Sequence, residues 1–177
     1  MNGIINTQRF CLIGKMASGK SHVASLLQAQ IPSLKKLSFA MPVKKIAKEH
    51  FGMQHKDRRL LQIIGGTGRA LNPNTWVNQL LQQVTSNGSY VVDDARFPTE
   101  IQELKKEGFI IVYVDADDAC RITRLKMTYG EHAQQHIDNM HDPSENRLNA
   151  SDADYVLTNQ SDIASLQTQV VSFLRQL

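Results

Sequence analysis

The sequence predicts an α/β protein built on a mainly parallel sheet with helices on both faces. Three observations lead there. Phe10 to Ile13 and Phe109 to Val114 are apolar without a break, as strands covered on both faces must be. Segments with apolar residues at helical spacing separate these runs from two shorter ones at Tyr90 to Val92 and Tyr155 to Leu157. The pattern G-x-x-x-x-G-K-S, from Gly14 to Ser21, lies between the first strand and the first helix.

The elements follow in order from local chemistry. After the strand Phe10 to Ile13, Gly19 to Ala29 reads as a helix, and Leu34 to Phe39 holds a short second strand that stops near Pro42. Val43, Ile46, Ala47 and Phe51 fall at helical spacing, with Gly52 placed as a stop. Asp57 to Ile64 reads as a helix ending at Gly65-Gly66. Asn74 is placed to cap a helix carrying Trp76, Val77, Leu80, Leu81 and Val84. Ser86 to Ser89 is a turn. The strand Tyr90 to Val92 enters Asp93-Asp94, and Pro98 opens a helix to about Glu107. Beyond the strand Phe109 to Val114, Asp117 to about Met127 is a helix and Tyr129 to Ala150 is polar and irregular. Tyr155 to Leu157 is the last strand, and Ile163 to Leu174 a closing amphipathic helix. No repeat or Pro/Gly/Ser linker divides the chain, so residues 1–177 are read as one domain.

Composition narrows the function classes. A hydrophobic fraction of 41% fits a globular domain. No apolar run nears the roughly 18 residues of a membrane span, so no membrane partner is expected. No signal peptide is visible in the polar stretch Met1 to Arg9, and Cys11 and Cys120 read as buried or incidental thiols, so a cytoplasmic location is expected. The net charge of +3 divides unevenly. Residues 1–69 hold 12 Lys or Arg and 2 acids, and residues 70–177 hold 8 basic and 15 acidic residues. A basic half suits an anionic ligand, and an acidic half can supply metal ligands. Lys35, Lys36, Lys44, Lys45 and Lys48 are not interleaved with aromatics, which argues against nucleic acid as the partner.

Gly14 to Ser21, set between strand and helix, is the pattern of a phosphate-binding P-loop. Its backbone N–H groups, those of Gly14, Lys15, Met16, Ala17, Ser18 and Gly19 among them, can curl around phosphate oxygens at the helix N-terminus. Lys20 can reach the β- and γ-phosphates of ATP, and the Ser21 hydroxyl can ligate Mg²⁺. Asp93-Asp94, at the end of a later apolar strand, resembles a carboxylate that orients Mg²⁺ beside such a loop. Alternation sends the two side chains to opposite faces, and which of them serves the metal stays open. Arg96, two residues beyond Asp94, could hold a phosphate with its planar fork or pair on the surface.

Arg121 and Arg124 share a predicted helix face. They read either as cations that neutralise a migrating phosphoryl group or as a solvated face with Asp117 pairing with Arg121. The segment after them could close over the site. Arg58, Arg59, Gln62, Arg69 and Trp76 cluster between the first helix and the Asp94 strand. They would suit a nucleoside monophosphate, the arginines on its phosphate and the ring against its base, although core packing is the ordinary use of a lone Trp. His132, His136 and His141 read as polar loop residues, since no H-E-x-x-H and no Cys partner accompanies them.

Several stretches in matching order resemble the viral and bacterial deoxynucleoside monophosphate kinases of the P-loop kinase superfamily. Besides Gly14 to Ser21 they are Leu37-Ser38-Phe39-Ala40-Met41-Pro42-Val43-Lys44; Leu61-Gln62 with Gly65 to Arg69 and Trp76; Val91 to Pro98; His141-Asp142-Pro143-Ser144-Glu145; and Asp154 to Asn159. Animal phosphomevalonate kinase is a more distant likeness. The resemblance implies a P-loop NTPase fold: a five-stranded parallel sheet, a helical acceptor region over about residues 38–85, and a lid over about 117–150. It implies transfer of the γ-phosphoryl of ATP, with Mg²⁺, to a (deoxy)nucleoside monophosphate. By match of motif, Lys44, Arg69 and Arg96 are acceptor residues, Asp94 is the carboxylate of the D-x-R pair, Arg121 and Arg124 are lid arginines, and Asn159 lies near the ATP base. Met41 stands where many relatives carry Asp, and Asp93 where they carry a small residue. A kinase of phosphomevalonate or dephospho-coenzyme A, or a nucleotide-binding ATPase acting on a partner, are the rival readings; homodimerisation stays open.

Overall fold

The computed structural model describes residues 7–160 and 162–177, with His141, Pro143 and Ser144 described by backbone alone. Five strands, β1 (Arg9–Ile13), β2 (Lys35–Leu37), β3 (Tyr90–Val92), β4 (Ile110–Asp115) and β5 (Tyr155–Thr158), form one sheet. All neighbours are parallel, in the order β2-β3-β1-β4-β5. β1 is central: Cys11 lies opposite Val92 on one side and Ile111 on the other. This is the α/β architecture that the unbroken apolar strands predict.

Strand alternation builds two cores. Phe10, Leu12, Val91 and Val112 face α1 (Lys20–Gln30) and α8 (Ile163–Arg175), where Val23, Leu27, Leu166 and Val170 meet them. Cys11, Ile13, Val92 and Ile111 face the other way. There they meet α2 (Ala40–Phe51), α4 (Thr75–Leu81) and α5 (Pro98–Lys106) through Val43, Trp76, Leu80, Ile101 and Leu104. Each such side chain taken fully from water contributes about 1.5–3 kcal/mol before entropy is subtracted. Among the described residues no helix is long and apolar enough to cross a membrane.

Four local expectations change. α3 (Arg58–Leu71) runs through Gly65-Gly66 rather than ending there. These glycines serve close packing, since Trp76 Nε1 donates to the Gly65 carbonyl at 2.9 Å and a Cβ at Gly68 would run into the indole ring. Pro42 does not precede a helix but lies in the first turn of α2, where its missing N–H removes no bond. Asn74 makes no side-chain cap; its N–H donates to Asn72 Oδ1 instead, and α4 ends at Leu81, short of Val84. The stretch after α6 (Asp118–Tyr129) is not irregular. It holds α7 (Ala133–Asp138) and several 3-10 turns, held by buried Ala133, Met140 and Leu148 and by His136 stacked on Tyr129.

Candidate active site

The carboxyl ends of β1, β3 and β4 converge on the loop Gly14 to Ser21, where ligands bind in open parallel sheets. Three of its residues have positive φ: Gly14 (138°), Ala17 (61°) and Gly19 (103°). A Cβ on Gly14 would approach the Val114 carbonyl oxygen to 2.5 Å, and one on Gly19 would run into the Asn159 amide, so both positions require glycine. His22 and Val23 are the first residues to donate to the Gly19 carbonyl. The amides of the preceding turn therefore have no helical acceptor of their own, as at any helix start.

The outer, carbonyl side of this loop is gripped by two arginines. Arg121, 1% exposed, donates from Nε to the Met16 carbonyl (2.8 Å) and pairs with Asp118 (2.7 Å). Arg124 donates to the Ala17 and Ser18 carbonyls and to the backbone and side-chain oxygens of Asn159. The Asn159 side chain in turn donates to the Ser18 carbonyl at 2.8 Å. The three residues thus clamp the loop by the carbonyls of Met16, Ala17 and Ser18. The solvated-face alternative is corrected: Arg121 is buried and pairs with Asp118, while Asp117 caps α6 by accepting the Cys120 N–H; both ends of the Asn159 amide are engaged with the loop and Arg124. Two buried atoms at the loop, Ser18 Oγ and Arg121 Nη2, have no partner among the described residues.

On the inner side, the Glu145 carboxylate accepts the Met16 N–H at 2.5 Å, placing an anion where a phosphate-binding loop would hold phosphate oxygen. Lys20 Nζ donates to the Gly14 and Lys15 carbonyls at 2.6 and 2.9 Å. Burial pulls the Lys20 ammonium down to about 8, partly opposed by the charge of Glu145. A lysine poised this way reaches for anionic oxygen with little hydration to lose.

The paired aspartates take separate jobs. Asp93 is buried, and its Oδ2 accepts from Ser21 Oγ (2.7 Å) and Lys36 Nζ (2.6 Å). Asp94, the other candidate for the metal, caps α2, accepting from Ser38 Oγ (2.6 Å) and from the N–H groups of Phe39 and Ala40 (both 3.0 Å). Ser21 and Asp93 form a hard oxygen pair of the kind Mg²⁺ takes together with substrate phosphates. Among the described residues no group of three or more His, Cys, Asp or Glu could hold a metal ion without such help.

A cleft lined by Phe39, Lys44, Gln62, Arg69, Asp94 and Arg96 adjoins the loop; Asp94 and Arg96 also line the pocket of Lys20 and Asp93. Four expected acceptor residues, Lys44, Gln62, Arg69 and Arg96, therefore meet. Arg58 is exposed on the first turn of α3 and is not among the lining residues. Trp76 is 3% exposed and packed under α3, so it is a core residue and not a ring for a base. The cleft has a buried anchor that sequence reasoning passed over. Glu100 accepts the N–H groups of Arg96 and Phe97 (2.7 and 3.1 Å) and lies 3.7 Å from Arg69. Glu145, Arg147 and Lys36 were missed as well. Only Glu145 carried a signal, its place in the His141 to Glu145 stretch.

No protein-family model matches the chain. The uncharacterized protein ORF77 of Ictalurid herpesvirus 1 (strain Auburn) is 29% identical over 169 residues, spanning 91% of this chain and 68% of that protein. TT1252 from Thermus thermophilus superposes with a TM-score of 0.64 at 17% identity, covering 97% of this chain and 98% of that one. A shikimate kinase from Bacteroides thetaiotaomicron gives 0.62 at 13% identity over 96% and 99%, and a gluconokinase from Sinorhizobium meliloti 1021 gives 0.59 at 16% over 96% and 92%. The chain has the fold of the P-loop kinases.

Proposed function

We propose that this protein is an ATP-dependent kinase whose acceptor is itself phosphorylated, a (deoxy)nucleoside monophosphate. One observation carries the reading: the loop bearing Lys20 and Ser21 opens, through Asp94 and Arg96, onto a cleft lined by Lys44, Arg69 and Arg96. A donor-phosphate site beside a cationic pocket is the arrangement that transfer between two phosphates needs.

In this reading the loop amides and Lys20 hold the ATP phosphates, displacing the Glu145 carboxylate from the Met16 N–H. Ser21 and Asp93 would hold Mg²⁺, which neutralises phosphate charge when bound, and Lys36 would give way to it. Arg69, Arg96 and Lys44 orient the acceptor's phosphate. Its oxygen is already anionic near neutrality, so no general base is required. That oxygen bonds to the γ-phosphorus as the bond to the bridging oxygen breaks, and ADP leaves. The chain's contribution is positioning and charge neutralisation.

The test is ADP release from ATP and Mg²⁺ with each deoxy- and ribonucleoside monophosphate, phosphomevalonate, dephospho-coenzyme A, shikimate and gluconate. Stimulation by one or a few nucleoside monophosphates, with the matching diphosphate formed, is the expected result. Stimulation by shikimate or gluconate alone would replace the acceptor class. Slow hydrolysis indifferent to every acceptor would favour an ATPase acting on a partner.

A further inference from the structure

Phe97 is a meeting point of positive charge. The Arg69 guanidinium lies over its ring at 4.2 Å from the centroid and that of Arg147 at 4.8 Å. Arg96 is the preceding residue. Near these three guanidinium groups stand two carboxylates: Glu100, committed to two backbone N–H groups and lying 3.7 Å from Arg69, and Asp94, which lines the same cleft and is committed to Ser38 and the first turn of α2. Among the described residues the Arg147 side chain has a ring contact and no hydrogen bond or ion pair. Its backbone is nevertheless pinned on both sides. Glu145 is held at the Met16 N–H, and Leu148 is 7% exposed in the core beside the loop. Guanidinium groups gathered on one ring repel each other unless an anion lies between them. Arg69 Nη1 donates to the Gly65 carbonyl at 3.1 Å, whereas an aromatic face leaves the edge donors of Arg147 available.

Building on the acceptor reading above, we propose that Arg147 is a specificity-determining residue: a further guanidinium on the acceptor's phosphate, selecting a phosphorylated acceptor over its unphosphorylated or carboxylate counterpart. Three planar forks and Lys44 supply more donors and charge than a carboxylate monoanion can use, and they suit a phosphate monoester dianion. Arg147 comes from the segment that also carries Glu145, so the chain that touches the donor loop also completes the acceptor site.

The experiment is initial-rate kinetics of wild type, Arg147→Ala and Arg147→Lys, with the acceptor varied at saturating ATP and ATP varied at saturating acceptor. The acceptors are dAMP, dCMP, dGMP and dTMP, with their nucleosides, shikimate and gluconate alongside. Arg147→Ala should raise KM for the accepted monophosphate about tenfold or more, as expected for loss of one charge-assisted contact, and leave KM for ATP unchanged. Arg147→Lys should fall between, since it keeps the charge and loses the fork. Any turnover of nucleosides or carboxylate acceptors should not respond to the substitution. A merely structural role would move both KM values and the melting temperature together, and that result overturns the proposal. So does an unchanged acceptor KM in Arg147→Ala while wild type phosphorylates a monophosphate. Failure of the underlying reading looks different, because wild type would then use none of the monophosphates.

Discussion

Lys20 and the two aspartates are where single side chains decide the chemistry. Lys20 must be charged to bind phosphate, and burial holds it at about 8. A lysine lowered this way loses its proton as pH rises, so kcat/KM for ATP should fall above about pH 8, and the inflection in kcat at saturating ATP should lie higher because bound phosphates favour the charged form. A flat kcat/KM profile to pH 9.5 would remove Lys20 from the binding step. The aspartates should separate by readout. Asp93→Asn should weaken Mg²⁺ dependence of the rate by roughly ten- to a hundredfold with little change in melting. Asp94→Asn should lower stability by about 1 kcal/mol through the α2 cap, measured by denaturant unfolding. Exchanged phenotypes would return the metal role to Asp94. Strand parity contained this answer: Asp93 shares the face of Val91, which packs with α1, and Asp94 that of Val92, which packs with α2. Reading it required knowing which helix covers which face, and that is a long-range fact.

At the scale of elements, α3 and the segment around Glu145 depart furthest from local expectation. Glycine pairs end helices when nothing else claims the space, but Trp76 claims it here. Gly68→Ala should destabilise by roughly 1–3 kcal/mol because the indole has no room to yield. Gly66→Ala, with nothing within 4 Å of the added carbon, should instead stabilise by about 0.5–1 kcal/mol. Equal effects by chemical denaturation would contradict the packing account. Glu145→Gln should tighten binding of ATP about threefold or more, since it removes an anion from the site that phosphates must enter. Weaker binding by calorimetry would make Glu145 a support of the loop. The polar composition of 129–150 concealed its helical turns, because only a few buried residues such as Met140 and Leu148 hold them in place.

For the molecule as a whole, the parallel α/β class and the place of the glycine loop in it were the most legible features, since both follow from apolar runs and from a glycine loop set between strand and helix. The strand order β2-β3-β1-β4-β5 was not, because it is set by long-range pairing. The cleft proposed for the acceptor was legible as a set of residue types but not as a set of contacts. Gln62, Arg69 and Arg96 converge as expected, whereas Trp76 and Arg58 share their neighbourhood in sequence and not their site. Arg121 and Arg124 show the same limit: helical spacing places them together, and only the tertiary fold presses them against the carbonyls of residues 16–18. What unites the proposed arrangement is one glycine loop, read as the donor-phosphate site, and one cationic cleft beside it. The most direct measurement is to follow the label of [γ-³²P]ATP in the presence of Mg²⁺ and each nucleoside monophosphate in turn. Label appearing in the corresponding nucleoside diphosphate, in step with ADP, is the predicted result. Label found only in inorganic phosphate, whatever the acceptor, would contradict a kinase of nucleoside monophosphates.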